Sequence, residues 1–405
     1  MATGHFPLPE FHSFSTIKLG TANAGIKQRE RDDVTLIALD ESVRLSAVFT
    51  KNAFCAAPVV LAKEAIKKTS TRFLLINTGN ANAGTGVGGF VSAEACMQAV
   101  AERGAVSADA VLPFSTGVIG EPLPHDKIIS VLDSAFEALD ASHWAQAATA
   151  ILTTDTRPKG VSSSLLVGDK SMRFNGICKG SGMINPNMAT MLAYAAVDLS
   201  ISQASLDALL KKANAKSFNC ITVDSDTSTN DAVVLMATGE SGVDYDNLAS
   251  NEKLEVEQWL TDQFIALSQL IIRDGEGATK FIEVTVAEGA SEDECDAVAY
   301  AIAHSPLVKT ALFASDPNWG RLLMAIGKAP VADLDIQKVR VAINGEPLVD
   351  AGEKVSAFTE EVGQRLFSEE DIQIRVELNR GECETTIWTS DLSHEYIKIN
   401  AEYRT

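Results

Sequence analysis

The sequence is short of positive charge. Its 405 residues include 34 Lys and Arg against 54 Asp and Glu, which gives a formal net charge of −20 at pH 7. An acidic surface repels phosphate backbones, so we expect no nucleic-acid partner. The sequence also lacks any apolar run of the ~18 residues that a membrane-spanning helix needs, so we expect no membrane partner.

Cysteine is sparse and scattered. There is no Cys-x-x-Cys pair and no close Cys/His group among the six cysteines, which are Cys55, Cys96, Cys178, Cys220, Cys295 and Cys383. This spacing argues against a zinc site and against a disulfide framework, so we predict no metal and a reducing compartment. The first residues, MATGHFPLPEFHSF, have neither a basic start nor an apolar core. We therefore expect a cytoplasmic protein, with an organellar protein that has lost its presequence as the alternative.

Short apolar segments alternate with amphipathic ones, which predicts an α/β fold. The segments 34–40, 44–50, 72–79 and 111–117 are typical of strands, and the segments 91–104, 125–140, 202–217 and 251–275 are typical of helices. Ser202 is a candidate N-cap. From about residue 281 the pattern changes, and the segments 280–289, 338–345 and 372–381 alternate strictly, which predicts half-exposed strands. We therefore predict a larger α/β domain over residues 1–280 and a smaller C-terminal α+β domain over residues 281–405.

Two polar stretches imitate ligand-binding motifs but lack a required feature. GTGVGG (84–89) matches a dinucleotide fingerprint, but residues 78–84 separate it from the predicted strand end, too far for a pyrophosphate to reach the helix N-terminus. We interpret it as a flexible Gly-rich loop. DSDTSTND (224–231) begins like a calcium loop, but Thr229 stands where glycine is needed and Leu235 where glutamate is needed. We interpret it as a polar turn whose hydroxyls can face a pocket.

The acidic, Gly-rich stretch DGEGATKF (274–281) favours a cation as its ligand. Asp274 and Glu276 would repel a phosphate group, and there is no P-loop pattern. A carboxylate in a tight glycine turn suits an ammonium group. A turn at the C-terminus of a helix is an equal alternative on spacing alone.

KGSGMINPNMATMLAY (179–194) runs from a Gly/Asn/Pro-rich loop through Ala189-Thr190 into an apolar strand. Backbone cleavage before threonine needs an attacking hydroxyl, a small preceding side chain and a strained loop, and this stretch supplies all three. Cleavage would leave Thr190 with a free α-amine of ordinary pKa ~7.7–8.0, which can act as general base for its own hydroxyl. None of the six histidines offers an obvious base; His143 and His304 are typical of packing or capping residues. The alternative is a plain turn before a strand.

In this order, the motifs closely resemble those of the ornithine acetyltransferase family, the bifunctional glutamate N-acetyltransferases of arginine biosynthesis. The resemblance covers essentially the whole chain and is carried by NTGNANAGTG, STGVIGEPLP, TTDTRPK, CKGSGMINPNMATMLAY, DSDTSTND, DGEGATKF, SDPNWGR and YIKINAEYRT. It implies self-cleavage at Ala189–Thr190 into an α chain (1–189) and a β chain (190–405), joined in an α2β2 assembly. It also implies a layered catalytic domain similar to self-cleaving aminopeptidases and N-terminal nucleophile hydrolases.

The resemblance also implies a role for individual residues. Thr190 would be the nucleophile, and Thr116 and Gly117 would form the oxyanion hole. Lys179 would hold a substrate carboxylate and Glu276 the side-chain ammonium of ornithine. The full set of implied substrate-binding positions is Thr154, Lys179, Thr190, Glu276, Asn400 and Thr405.

The implied reaction moves an acetyl group from N-acetylornithine to glutamate through an acetyl-Thr190 ester, releasing ornithine and N-acetylglutamate. No cofactor is implied, and acetyl-CoA as a second donor stays open. The main alternative is a self-cleaving aminopeptidase or amidase that passes the acyl group to water. A binding module with an uncut chain comes next, and a dinucleotide enzyme comes last. Cys178 beside Lys179 has no visible base, which argues against a thiol nucleophile.

Overall fold

The structure is a computed structural model that describes residues 3–27, 31–185 and 191–402. The predicted cleavage pair Ala189–Thr190 and the terminal Thr405 lie outside the described residues. Within the described ranges, no helix is long and apolar enough to cross a membrane.

The described residues form strands and helices that alternate along the chain, which confirms the predicted mixed α/β class. The strands are β1 (Ile17–Ala22), β2 (Val34–Leu39), β3 (Arg44–Phe49), β4 (Phe73–Asn80), β5 (Val111–Val118), β6 (Lys159–Val167), β7 (Lys170–Lys179), β8 (Leu192–Val197), β9 (Ile221–Thr222), β10 (Ala232–Ala237), β11 (Phe281–Gly289), β12 (Arg340–Ile343), β13 (Glu346–Asp350), β14 (Glu353–Lys354), β15 (Asp371–Glu377) and β16 (Cys383–Ser390). The helices are α1 (Ala57–Ala65), α2 (Gly86–Gly104), α3 (His125–Ser130), α4 (Leu132–Glu137), α5 (Trp144–Ala150), α6 (Gln203–Ala215), α7 (Ser250–Arg273), α8 (Glu292–Ala303), α9 (Pro306–Phe313), α10 (Trp319–Gly327), α11 (Glu360–Ser368) and α12 (His394–Ala401).

The chain divides into two compact units. The larger unit comprises residues 6–219 and 226–271, and the smaller comprises residues 1–5, 220–225 and 272–405 where described. The predicted boundary after residue 280 differs from this division because the loop before β11 is held by the smaller unit. The Thr279 backbone N donates to Asp391 Oδ1 at 2.8 Å, and Ser393 Oγ donates to the Gly277 carbonyl at 2.6 Å. These long-range bonds leave no local mark in the sequence.

The larger unit contains two sheets whose inner faces share one core. Their strand orders are β1-β2-β4-β5 and β3-β10-β8-β7-β6. Phe114 of β5 meets Tyr194 of β8 edge-on, with ring centroids 5.4 Å apart, and stacks near Phe49 of β3 at 6.4 Å. Strands β8 and β10 are buried over their whole length, as expected for strands covered on both faces.

The smaller unit is built on a seven-stranded sheet of order β14-β13-β12-β15-β11-β16-β9, with its own apolar core. Strand β15 alternates between exposed and buried residues, as predicted. The prediction that β11 is half-exposed is wrong. It lies between β15 and β16 in the sheet, and α8 packs against it, so most of its residues are buried.

Three helix predictions can be compared with the observed bounds. Ser202 caps α6 as predicted, because its side chain accepts a hydrogen bond from the Ser205 backbone N. The helix predicted over 125–140 is interrupted at Val131 and forms α3 and α4. The Gly-rich loop is partly helical, since α2 already begins at Gly86. A Cβ on Gly89 would lie 2.1 Å from Thr85 Oγ1, so glycine permits this close start of the helix.

Candidate functional site

In the larger unit, the end of β7, the start of β8 and the start of β10 lie side by side and form a row of strand ends. The predicted nucleophile, Thr190, comes two residues before β8 in the chain. Strand β8 lies between β7 and β10. Its first residue, Leu192, pairs with Lys179 at the end of β7 and with Ala232 at the start of β10. Thr190 is bonded to Met191, and the Ala232 backbone N donates to the Met191 carbonyl at 3.0 Å. The end of this row is therefore where the chain passes from the predicted cleavage pair into the sheet.

Asp155 organises the side of this row formed by β7. Its fully buried carboxylate accepts from Lys159 Nζ and from the Gly180 backbone N, both at 2.7 Å. Burial alone would raise the pKa of Asp155, but the charges of Lys159 and Lys179 and the hydrogen bonds hold it well below its usual range. Thr154 directly precedes Asp155 in the chain. Lys179 likewise directly precedes Gly180. Because Asp155 and Gly180 bond each other, the structure brings together the two chain segments that carry the predicted substrate-binding residues Thr154 and Lys179.

The predicted oxyanion-hole residues lie at the end of β5. The Thr116 side chain is largely buried, and Gly117 has a φ of +133°. A Cβ on Gly117 would lie 2.2 Å from the Gly79 carbonyl carbon and 2.5 Å from the Asn80 N. Only glycine fits where β4 and β5 approach each other this closely. The close approach therefore fixes the positions of the Gly117 N–H and the Thr116 hydroxyl.

Asn230, which the sequence analysis left as part of a polar turn, ties the end of β5 to the start of β10. Its Nδ2 donates to the Ser115 carbonyl at 2.9 Å and to the Ala81 carbonyl at 2.6 Å. Ser115 Oγ in turn donates to Asn77 Oδ1 at 2.6 Å. The bonds link the segment that precedes β10 to the strand that carries Thr116. The only sequence signal for this role was an amide two residues before an apolar strand.

Asp231 is a second residue that sequence reasoning missed. It directly precedes β10 and is 3% exposed. Its Oδ2 atom is buried and forms no hydrogen bond within the described part of the chain. Burial raises the pKa of Asp231 well above its usual range, against the opposing effects of the Ser228 hydroxyl and the Lys179 charge. Burial therefore favours the uncharged form of this carboxyl.

In the smaller unit, two predicted substrate-binding residues bond each other. Glu276 lies in the turn between α7 and β11 and is 7% exposed. Asn400 of α12 donates from Nδ2 to Glu276 Oε2 at 2.7 Å. Gly277 has a φ of +69°, and a Cβ there would lie 2.6 Å from Ser393 Oγ. The tight turn thus holds one carboxylate beside one amide.

The sequence model of the ArgJ family matches residues 18–405. The chain belongs to the ArgJ family. It is 50% identical over 406 residues to the "Arginine biosynthesis bifunctional protein ArgJ" of Pseudomonas syringae pv. tomato, with 100% of both chains covered. Membership confirms the resemblance drawn from the motifs and the prediction that the chain is an acyltransferase of arginine biosynthesis.

Two solved structures are also similar to this ArgJ family member. The ArgJ protein of Bacillus halodurans is 35% identical, with 52% of this chain and 99% of that chain covered and a TM-score of 0.49. An ornithine acetyltransferase of Mycobacterium tuberculosis, solved in complex with ornithine, is 27% identical, with 43% and 93% covered and a TM-score of 0.38. At such low TM-scores the structural likeness adds nothing to the family assignment.

Three other potentially reactive side chains of this ArgJ family member, those of Cys178, His143 and His304, are buried, hydrogen-bonded or packed against neighbouring residues. Cys178 is fully buried, and its Sγ contacts the Leu267 carbonyl at 3.5 Å. His143 Nδ1 lies 2.9 Å from the Ala138 carbonyl at the start of α5, and His304 packs on Tyr300 at the end of α8. Residues 3–27, 31–185 and 191–402 contain no group of three or more His, Cys, Asp and Glu side chains arranged to hold a metal ion.

A groove of about 810 Å³ lies along β3, an edge strand, and is lined in part by Arg44, Lys67 and Lys211. The residues that line it include none of the predicted site positions. This groove therefore does not coincide with the predicted site, which we place by the chemistry of the strand ends.

Proposed function

We propose that this ArgJ family member cleaves its own chain at Ala189–Thr190 and then transfers the acetyl group of N-acetylornithine to glutamate. The freed α-amine of Thr190 takes the proton from the Thr190 hydroxyl, and the hydroxyl oxygen attacks the acetyl carbonyl. Ornithine leaves with the proton, and an acetyl ester on Thr190 remains. The amine of glutamate then attacks this ester and departs as N-acetylglutamate.

The observation that carries the proposal is the row of strand ends at Leu192. It ties Thr190, through one intervening residue, to a position flanked by Lys179 and Ala232. Because Met191 and Leu192 are bonded to the sheet, the chain directly after the predicted nucleophile is fixed, and fixed positioning of reacting groups is a main source of catalytic rate.

Thr116 and Gly117 are suited to stabilise the oxyanion. A hydroxyl and a peptide N–H, presented at a backbone position that only glycine fits, form a preorganised pair of donors. Removal of one such donor typically lowers the rate ~10²–10³-fold. Asn230 supports the pair because it bonds the Ser115 carbonyl that precedes Thr116.

The charge balance around Lys179 supports its role as a carboxylate ligand. Two ammonium groups, those of Lys159 and Lys179, face one ionised carboxylate, that of Asp155. Burial raises the pKa of Asp231, which favours its uncharged form. Both ammonium groups lower the pKa of the Asp155 carboxyl, and an ammonium group such as that of Lys179 favours an anionic substrate group.

Glu276 supplies the opposite charge and is proposed to bind the side-chain ammonium of ornithine. Asn400 fixes the Glu276 carboxylate by donating to Oε2 at 2.7 Å, and the proposed ligand would approach Oε1. Glu276→Gln should raise the KM for N-acetylornithine, whereas the matched variant Glu353→Gln, at an exposed carboxylate of the same unit, should not. An unchanged KM in Glu276→Gln would contradict the assignment.

Two measurements test the proposed function. The denatured mass of purified protein should show two fragments, residues 1–189 and 190–405, and Thr190→Ala should remain a single chain. Release of ornithine from N-acetylornithine should then depend on glutamate. Equal turnover without glutamate would instead support the amidase, with water as the acceptor. The same assay with acetyl-CoA tests for the second donor. The α2β2 assembly and the cytoplasmic location stay predictions.

A further inference from the structure

The carboxylate that is proposed to bind the ornithine ammonium lies in a stretch of chain outside the helices and strands. Glu276 belongs to residues 274–280, which connect α7 to β11. A local hydrogen bond there runs from the Ala278 backbone N to the Gly275 carbonyl at 2.9 Å. So short a turn does not by itself fix a side chain, and the position of Glu276 therefore depends on what holds the turn from outside.

Residues 389–393, the anchor segment, hold this turn through the side chains of Asp391 and Ser393. Asp391 is 3% exposed, and its carboxylate accepts from the two backbone N atoms of residues 279–280, at 2.8 and 3.0 Å, and from the hydroxyl of the first of them at 2.5 Å. Ser393 Oγ donates to the Gly277 carbonyl at 2.6 Å. The anchor segment thus meets the turn on the residues that directly follow Glu276.

The anchor segment also leads into the helix that carries Asn400. Ser393 is the N-cap of α12, and its side chain accepts a hydrogen bond from the Tyr396 backbone N. Asn400 of the same helix donates to Glu276 Oε2 at 2.7 Å. One short segment therefore sets the position of both members of the Glu276–Asn400 pair.

Lys309 of α9 binds the anchor segment from the other side of the turn contacts. Its side chain is buried, and Nζ donates to Thr389 Oγ1 at 2.8 Å and to the Ser390 carbonyl. Burial lowers the pKa of Lys309 to about 8, against the opposing charges of Asp391 and Asp224. The carboxylate that orders the turn is thus stabilised by an ammonium group that bonds the same segment.

We propose that Asp391 and Lys309 are positioning residues for recognition of the ornithine side chain, an inference that rests on the proposed role of Glu276. Together they hold the turn of Glu276 against the helix of Asn400, so that the carboxylate is fixed where the substrate ammonium arrives. Neither residue needs to touch the substrate. Because a charge-assisted hydrogen bond depends on geometry, a loosened turn should weaken the contact with the ammonium and leave the chemistry at the acetyl group unchanged.

The test measures selectivity for the side-chain ammonium. N-acetylnorvaline has the carbon skeleton of N-acetylornithine but lacks the ammonium, so the ratio of kcat/KM for N-acetylornithine to kcat/KM for N-acetylnorvaline reports that contact. We expect Asp391→Asn and Lys309→Met to lower this ratio ~10–100-fold. The matched controls Asp350→Asn and Lys354→Met, at exposed residues of the same unit, should keep the wild-type ratio.

A second comparison separates positioning from a loss of stability. In the proposed cycle, kcat/KM for glutamate reports only the transfer from acetyl-Thr190, so it should stay near the wild-type value in both variants. A substitution that merely unfolds part of the enzyme would lower kcat/KM for both donors and for glutamate alike, and the donor ratio would not change. Should Asp391→Asn fail to fold, Thr279→Val removes only the hydroxyl bond to Asp391 and should lower the donor ratio ~2–10-fold.

Glu276→Gln, measured in the same assay, distinguishes failure of this inference from failure of the proposed function. A wild-type donor ratio in folded Asp391→Asn or in folded Lys309→Met, beside a lowered ratio in Glu276→Gln, overturns the positioning role of that residue alone. A wild-type ratio in Thr279→Val does the same for Asp391 if Asp391→Asn does not fold. A ratio that Glu276→Gln leaves unchanged refutes the proposed contact between Glu276 and ornithine, and the positioning role falls with it.

Discussion

Asp155→Asn should strongly destabilise the larger unit. The substitution keeps the shape of the side chain, but its single amide oxygen can accept from only one of the two backbone N atoms that bond the carboxylate, Gly180 N at Oδ1 or Thr153 N at Oδ2. It also removes the charge opposite Lys159, and both side chains of that pair are almost completely buried, at 0% and 1% exposed. Removal of one partner from a buried ion pair typically costs ~3–5 kcal/mol, because an uncompensated charge remains.

A double-mutant cycle measures the interaction energy between Asp155 and Lys159 separately from the other effects of each substitution. Lys159→Met alone should also destabilise, since it leaves the Asp155 carboxylate buried without its closest cation. The double variant Asp155→Asn/Lys159→Met buries no charge at this position, so it should recover part of the loss and show a coupling of ~1–3 kcal/mol. The assay is urea unfolding followed by far-UV circular dichroism and by the fluorescence of Trp144 and Trp259, which belong to the larger unit.

The pH dependence gives an independent check. The folded-state pKa of Asp155 is lowered, so its stabilising effect is fully present above its ordinary carboxyl pKa and is lost as the pH falls through the lowered value. Asp155→Asn should therefore be less sensitive to acid than the wild type. Asp109→Asn, at an exposed pair with Lys68, is the control and should leave stability unchanged. A loss of under ~1 kcal/mol in Asp155→Asn would refute the reasoning, because ordinary surface changes reach that size.

Three further predictions concern the oxyanion-hole residues and His304. Thr116→Val should lower kcat for acetyl transfer ~10²–10³-fold without unfolding the protein, and a variant with wild-type kcat would rule out its role as a donor. Gly117→Ala should fold poorly, because its Cβ would clash with Gly79 and Asn80; a wild-type melting temperature would contradict this. Burial lowers the pKa of His304 to about 4. The unfolded chain therefore binds the proton more tightly, and between pH ~6.5 and ~4 the wild type should lose ~1–2 kcal/mol more stability than His304→Gln, with solvent screening included. Parallel pH slopes of the two proteins would disprove that effect.

Strands and helices could be predicted from local sequence patterns where the burial of their residues follows from the segment's own sequence. The segments at β2 to β5 were recognised because their apolar residues are continuous, and Ser202 because a cap is a local feature. The burial of β11 could not be read in this way, since it depends on strands β15 and β16, which come later in the chain.

The same distinction applies to the candidate site. Positions such as Lys179 and Glu276 came from motif resemblance, and the structure adds which neighbours hold them. The surroundings of Asn230 and Asp231 could not be predicted beforehand, because they depend on the register between β8 and β10 and on burial by distant segments. A polar turn before a strand has the same appearance in a sequence whether its carboxyl is buried or exposed.

The strand order of the five-stranded sheet determines how two chains cut at residue 189 would behave. Reading across the sheet, β3 belongs to the first chain, β10 and β8 to the second, and β7 and β6 again to the first. Each fragment would contribute strands that lie between or beside strands of the other, so neither could leave without breaking a continuous ladder of backbone hydrogen bonds. Cleavage would thus create a new chain end without creating two separable proteins. The fragments should unfold in a single cooperative transition, and neither should form this sheet when produced alone.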